Sequence, residues 1–537
     1  MKKQLPILSA LLFAIMTYSQ DGTLQVNASA SLKVFTTASL TVKDGITNLG
    51  DGSNFIIQSD ANLIQINTTN TNTGNLTSER EFKIGAARLQ YNYVGTPVAF
   101  AAGQTYKTIF PGSTNTQVLF YNQTSNTFST SSGANIPGRG LAVKEPPTTT
   151  LLTGGKTTAQ FKGVPQTGDL IFGIANRDID PNSTTYGYNL VGNPYPSNID
   201  LIKLYTLNGS NTLNNISASF YLWDNNSNDI YVQQGSSYEG QAYAIYNALA
   251  GSVGTGTAAV GARNGTLVGT KTPTNILKVG QGFMTRSLKS TYSFKFDNTI
   301  RTAETTPVDF LGKQGSGAED DRYWLRLTAP SGIISTMAVV HYSGGNNLFG
   351  AEDSRSMGGS DALFSRVENE KLAIEGRSTM VITDVIPLGS QHFVSGTSTI
   401  GIDAVEGIFA NGQNIYLKDR QTSIITNLSE GHYTFGANAG ESTGRFEIIY
   451  KPESILTTDS TVKESLQVYR DSNDFVVRNL GQNITEVALF DASGRLILTR
   501  NGSQKEWRLD AEKLTQGMFV LKVTLITGEI QTRKIRK

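Results

Sequence analysis

Residues able to do chemistry are few in this chain, and they stand far apart. The pentapeptide Gly440-Glu-Ser-Thr-Gly444 has the Gly-x-Ser-x-Gly spacing that, on a strand-to-helix turn, presents a serine to a histidine and an acid. That geometry needs an α/β sheet and a histidine downstream. The three histidines, His341, His392 and His432, all precede Ser442, and the flanking residues alternate as strands do, so a hairpin turn is expected. Asp224-Asn-Asn-Ser-Asn-Asp229 puts oxygen side chains at alternate positions, with Asp224, Asn226 and Asn228 as the first ligands of a calcium loop. Such a loop takes glycine at its sixth position and glutamate at its twelfth. Here these are Asp229 and Gly235, and a hairpin tip is the competing reading. Glu319-Asp-Asp321 suits either a cation or a solvated connector. Gly254-Thr-Gly256 lacks the helix and lysine of a phosphate-cradling loop. Calcium is thus the one cofactor these residues suggest.

The chain has no cysteine, which excludes disulfides, thiolate metal sites, cysteine nucleophiles and a lipid-modified N-terminal cysteine. Paired carboxylates for glycoside hydrolysis need not be neighbours in sequence, but no segment concentrates Asp or Glu near Trp223, Trp324 or Trp507. Charged residues make up 17% of the 537 and the net charge is +1, so no electrostatic case exists for nucleic acid or an anionic membrane surface. No catalytic constellation emerges, and a non-enzymatic protein is expected.

The elements that must position these residues are strands. Hydrophobic residues reach only 38%, and Gly, Asn, Ser and Thr fill the gaps between short β-branched and aromatic runs. The best helical pattern, Asp510 to Leu514, is one turn. The fold class expected is all-β and multidomain. Residues 1–20 read as a secretory signal peptide, with Lys2-Lys3, an apolar core from Leu5 to Met16 and a small/polar exit at Thr17 to Gln20. No later apolar run is long enough to span a membrane. Residues 21–80 carry short strands at a near-constant beat, Ala30-Ser-Leu32 and Ala38-Ser-Leu40 among them. They fit rungs of a short β-solenoid better than a meander, and so few rungs should lean on the neighbouring domain.

Residues 81–305 contain an internal duplication. Tyr91-Asn-Tyr-Val-Gly-Thr-Pro97 returns as Tyr188-Asn-Leu-Val-Gly-Asn-Pro194, carrying Gly192 and Asn193. Phe120-Tyr-Asn122 returns as Phe220-Tyr-Leu-Trp223, and Gly138-Arg-Gly140 as Gly280-Gln-Gly282. The glycines imply turns with positive φ or backbones passing closely. The second copy carries a long insertion after Tyr231, whose Gly/Thr-rich stretches from Gly251 to Gly256 and Gly261 to Gly269 are expected as surface loop. Residues 322–450 read as a β-sandwich or jelly roll, 451–463 as a linker, and 464–537 as a small antiparallel sandwich with five strand-like runs.

At this last stretch a resemblance enters. Val487-Ala-Leu-Phe-Asp-Ala-Ser-Gly494-Arg495-Leu496-Ile497, then Gly517-Met-Phe-Val-Leu-Lys522-Val523, then Gly528 before a basic end, resembles the C-terminal sorting domain of type IX secretion cargo, clearest over 465–537. Leu190 to Asp200 resembles a motif of large surface proteins exported by that route. The Pro-Asn-Pro opening of the main subclass is missing. The resemblance implies an immunoglobulin-like sandwich read by the type IX translocon and its shuttle proteins. It also implies passage through the periplasm to the outer surface or the medium. The expected function is a non-enzymatic surface protein, adhesin or structural, with a surface glycan or protein as ligand and loops such as 232–275 as the binding elements. The alternative is a carbohydrate-binding protein or glycan-degrading enzyme using the same route.

Overall fold

The computed structural model describes residues 22–69, 71–83, 91–110, 118–130, 135–144, 156–178, 186–209, 215–224, 243–260, 272–304, 320–452, 466–479 and 481–537. Their regular structure is almost all strand. Leu24–Val26, Leu32–Val34 and Ser39–Val42 pair in parallel with Ile46–Asn48, Phe55–Ile57 and Asn62–Gln65. A meander would pair neighbours antiparallel, so this is a solenoid. The beat legible in the sequence is one side of a three-sided coil rather than the whole coil. Each side buries a residue or two, such as Val26, Val34 and Val42 in the first coil and Ile46, Phe55 and Leu63 in the second. Asn48 donates to Asn54 at 2.9 Å, and Gln65 and Asn72 bond reciprocally at 2.8 Å, which satisfies polar groups inside the corners.

So short a solenoid buries little by itself. Leu76–Lys83 pairs in parallel with Phe55–Ile57 on one edge and antiparallel with Lys156–Pro165 on the other. The solenoid therefore shares a sheet and one core, Val26 through Phe161, with the first copy of the duplication. Two buried basic groups hold it to the second copy. Asp60 accepts from Arg80 at 2.7 Å and Lys278 at 3.2 Å. Burial pushes the Asp60 carboxyl up, but the two cations outweigh it and hold it below the usual value. Arg301, buried against the Tyr195 ring at 4.8 Å, donates to the Leu63 carbonyl and to Ser197 Oγ at 2.9 Å.

The duplication is visible strand by strand. The first copy orders Tyr91–Val94, Leu141–Lys144, Val118–Asn122 and Thr127–Thr130; the second orders Tyr188–Gly192, Gly282–Ser287, Ile216–Trp223 and Tyr243–Asn247, with Thr255–Thr257 added at the edge. After each motif strand comes a helix, Tyr106–Ile109 in the first copy and Leu201–Asn208 in the second. The longer helix is started by Asp200, which accepts from the Ile202 and Lys203 amides at 2.8 and 3.3 Å. Leu201, Leu204, Tyr205 and Asn208 then fall on its buried face.

The copies meet at their motif glycines. The Gly95 amide donates to the Gly280 carbonyl at 3.0 Å, and the Gly192 amide to the Gly138 carbonyl at 2.9 Å. Gly95 and Gly192 hold the same place in the motif, as do Gly138 and Gly280. One bond is therefore made twice, as across a two-fold axis. The bridges Val94–Gln281 and Arg139–Val191 repeat the same exchange. A Cβ on Gly192 would lie 2.5 Å from Gly95 Cα, and one on Gly95 2.6 Å from the Asn193 backbone. No side chain fits.

Residues 321–450 form one eleven-stranded sheet running from Ile424–Asn427 to Tyr433–Ala437 and curled around a single core. Its ends nearly close: Tyr433 Oη donates to Asp419 at 2.8 Å, and Arg445 to the Gly436 carbonyl at 2.9 Å. Its outer face packs on the duplicated sheets, where Trp324, Ala338 and Ile374 join Tyr93, Tyr188 and Tyr221. Residues 466–537 make a separate sandwich of a three-stranded and a four-stranded sheet over their own core. Two of its strands, Glu506–Asp510 and Ile530–Arg536, lie beyond the five apolar runs. Each is mostly polar and fully buries a single side chain, Leu509 and Ile535.

Gly95→Ala and Gly192→Ala should each cost about 1–3 kcal/mol through forced separation of the two backbones. Gly173→Ala, whose methyl would meet no atom within 4 Å, should stay within about 0.5 kcal/mol. Denaturant unfolding of the three variants checks this.

Candidate functional site

Where the second copy meets the curled sheet, a cavity of about 350 Å³ lies at the seam. Strand alternation builds one wall. In Ile216–Trp223, Ala218, Phe220 and Leu222 enter the core of the second copy, so Ser219 and Tyr221 point the other way. Tyr188 and Arg286 are cross-strand partners on the adjoining strands, and Tyr205 comes from the buried face of the helix. The opposite wall is Phe349, Asp353 and Arg355. Beside the cavity, polar contacts also cross the seam. Ser219 and Ser354 bond at 2.8 Å, and Asn247 donates to Ser354 Oγ and the Ala351 carbonyl, each at 3.1 Å.

The charges are arranged unequally. Arg355 grips Glu370 through two bonds of 2.6 and 2.9 Å, with its guanidinium 4.4 Å from the Phe349 ring. That bond holds the Glu370 carboxyl below its usual value. Asp353 accepts from the Gly350 amide at 2.8 Å and the Gly376 amide at 2.9 Å, yet burial pushes its pKa up to about 8. Burial, with Arg355 nearby, lowers Arg286, and burial raises Tyr188 and Tyr221. At neutral pH the lining therefore carries neutral phenols, a largely protonated carboxyl, an ion pair that cancels, and the positive charges of Arg286 and exposed Lys289. The Tyr188 and Tyr221 rings meet edge to face with centroids 5.6 Å apart.

A family model described as "Domain of unknown function (DUF8693)" matches residues 10–450. The chain belongs to the DUF8693 family. A second model, "Domain of unknown function (DUF8694)", matches residues 456–536. No curated protein matches the chain.

In this DUF8693 chain the residues singled out by sequence are scattered. Asp224 is buried at the end of Ile216–Trp223, while Asn226, Asn228 and the rest of that tip lie outside the described residues. Among the described residues no group of three or more His, Cys, Asp or Glu is placed to hold a metal ion. Ser442 sits within the strand Gly440–Ile449, opposite Ser390, and not in the expected hairpin turn. His341 belongs to the core of the curled sheet. Its Nδ1 lies 2.9 Å from the Ser378 carbonyl and its Nε2 2.6 Å from Tyr450 Oη, so Nδ1 carries the proton, and burial pulls its pKa down to about 3.

Further expectations are corrected. Residues 251–256 were expected as surface loop; Gly254 to Thr257 are buried at the seam, where Arg322 and Trp324 donate to the Gly254 and Gly256 carbonyls at 2.9 and 2.7 Å. Gly and Thr suit a turn, and they equally suit a place where a second sheet presses on the backbone. Within the expected binding loop 232–275, Tyr243–Asn247 is likewise a mostly buried strand and not surface loop, while 232–242 and 261–271 lie outside the described residues. Asp320, expected in a solvated connector, is buried and accepts from Ser252 through its amide at 2.7 Å and its hydroxyl at 2.9 Å; Glu319 lies outside the described residues.

The repeat residues Gly192, Gly280 and Gly282 stand at the crossing of the copies, and Tyr188 at the cavity. Asn193 closes the turn that holds Pro194, donating to the Ser197 and Lys278 carbonyls at 2.8 and 3.1 Å. In the 466–537 sandwich, Gly494 (φ +83°) and Gly528 (φ +84°) occupy hairpin turns at opposite ends of the four-stranded sheet. Arg495 pairs with Asp491 at 3.0 Å, Leu496 opens an exposed strand, Gly517 bonds with the Lys537 backbone, and Lys522 lies between Ala488 and Thr532.

Tyr205, Arg286 and Arg355 were not singled out by the sequence. Only Tyr205 had a local signal, the Asp200 cap followed by apolar residues at helical spacing.

Asp353 gives the seam a pH signature. Its folded pKa, about 8, is raised above the unfolded value of about 3.9. The stability it contributes is fully present below the unfolded value and is lost as pH rises through the folded one. The stability of the native chain relative to Asp353→Asn should therefore fall between pH 5 and pH 8, by at most about 1.4 kcal/mol per pH unit. Melting of both proteins across that range checks the sign.

Proposed function

We propose that this chain is a non-enzymatic protein of the outer cell surface or the medium, an adhesin or structural component, carried through the periplasm by a leader at 1–20 and across the outer membrane by the 464–537 sandwich. The observation that carries the reading is the autonomy of that sandwich. It has its own core and two sheets, and a family model separate from that of the body matches it. The glycines that bear the resemblance to type IX sorting domains lie at its turns and sheet ends, where the type IX translocon or a shuttle protein would meet them. Among the described residues no helix is long and apolar enough to cross a membrane.

A second reading, a carbohydrate-binding protein, is favoured by the cavity, because an aromatic wall beside fixed polar groups suits a sugar ring. A glycan-degrading enzyme would need, in addition, a pair of carboxylates facing one another across a bound sugar.

Removing 464–537 should leave the body in the periplasm, and fusing 456–537 to an inert secreted reporter should bring that reporter to the surface of a type IX-competent cell. Fractionation and surface proteolysis read both. Normal display of the truncated chain, or a periplasmic fusion, would refute the sorting assignment.

A further inference from the structure

We propose that the open end of the solenoid is an interface at which two copies of this chain join end to end. The inference is independent of the carbohydrate-binding reading and of how the chain is exported. The three strands of the first coil share one design. Leu24-Gln-Val26, Leu32-Lys-Val34 and Leu40-Thr-Val42 begin on leucines eight residues apart. In each, the leucine and the valine point inwards and the residue between them faces out on the flank. Pairing sets Leu24 on Ile46, Leu32 on Phe55 and Leu40 on Leu63. The lower three are buried, because the first coil covers them. The upper three pack on the same core but are only half-buried. A further coil laid on top would bury them as they bury the residues beneath.

The backbone is open on the same side. The Leu24 and Leu32 amides donate to the Gly45 and Asn54 carbonyls at 3.0 and 2.7 Å, and the Ala38 and Val42 carbonyls accept from the Asn62 and Ile66 amides at 2.9 and 3.1 Å. Ladder groups alternate sides along a strand, so Gln25, Lys33 and Thr41 turn theirs away from the second coil. Among the described residues each of the three strands is the edge of its sheet. No proline blunts these edges, and Lys33 is their only charged residue, with its ammonium 5.7 Å from the Phe35 ring. Phe35 itself is 62% exposed at the rim. Edges of this kind pair readily with other strands.

A second copy is the occupant these features favour. The joint would repeat the chemistry that already holds the first coil on the second, with apolar residues stacked inside and ladder bonds around them. Two identical ends facing across a two-fold axis set leucines against leucines. With so little charge in the strands, no cluster of like charges opposes the approach, and no charge pattern selects a different partner. Three strands of three or four residues make a small joint, below the roughly 800 Å² per partner of a standard complex. Pairing should therefore be weak in dilute solution and stronger where many copies share one surface.

Sedimentation velocity of the purified full chain over a concentration series, with hydrogen exchange on the same samples, tests the inference. The expected result is reversible dimerisation with a Kd of about 10–100 µM, and slowed exchange of the Gln25, Lys33 and Thr41 amides in the dimer. Gln25→Pro combined with Thr41→Pro removes two outward amides where an edge strand tolerates proline, and should weaken dimerisation about 10-fold or more. Leu32→Lys keeps an aliphatic stem on the core. Its charge would face an identical charge, with a loss of about the same size. Neither variant breaks a ladder bond to the second coil. A chain still monomeric at about 1 mM would overturn the proposal. Protection of the three amides in that monomer would put another segment of the same chain on the end, and free exchange would leave the end to a different molecule. A dimer that neither variant weakens would place the contact elsewhere and overturn the proposal too.

Discussion

The structure depends on a place where two backbones touch. At Gly95 and Gly192 the copies approach so closely that the virtual Cβ of one lies 2.5 Å from the Cα of the other, and each copy donates an amide to the other's Gly-x-Gly turn. Such contact satisfies buried peptide groups without side chains. It also fixes the relative orientation of the copies, because the same bond is made twice about one axis. A pair of domains joined by side chains alone would leave room to slide. Here the sheets of the two copies are brought side by side, and together they present the face on which the curled sheet packs.

The seam is a consequence of that constraint. Each duplicated sheet buries one face in its own core and offers the other to its neighbours, so tyrosines that would face water on an isolated sandwich become buried. The second copy differs from the first by a longer helix, an added edge strand and residues 251–257, which lie against Arg322 and Trp324 of the curled sheet. The asymmetry leaves a cavity at the second copy's side of the seam. The 466–537 sandwich stands outside this arrangement. Among the described residues it meets the curled sheet where Tyr469 and Val476 join that sheet's core and where the Arg470 amide donates to Gln413 at 3.3 Å.

Much of the architecture was legible because period-two alternation and glycine placement are local signals. The repeated Tyr-Asn-x-Val-Gly motif gave the duplication, and its glycines implied either turns with positive φ or backbones passing closely. The helix Leu201–Asn208 was not anticipated, with Asp510 to Leu514 taken as the best helical pattern; its signal, Asp200 followed by apolar residues three and four apart, is short and stands among strands. Burial at the seam was not legible. Gly251 to Thr257 has the composition of a surface loop, and nothing local distinguishes a glycine exposed at a turn from one pressed by another sheet. The cavity was hidden for the same reason. Tyr188, Tyr205 and Arg286 come from three segments that the fold of the second copy brings together, and Arg355 joins them only where that copy packs on the curled sheet.

The solenoid, both copies and the curled sheet form one body, locked at the glycine crossing, and the 466–537 sandwich has a core of its own. Native-state hydrogen exchange across a denaturant series tests it most directly. The amides of Gly95 and Gly192 should exchange through the same cooperative opening as the strands of the curled sheet, while those of 466–537 open in a transition of their own. Exchange of the two glycines at different denaturant concentrations, each with its own copy, would contradict it.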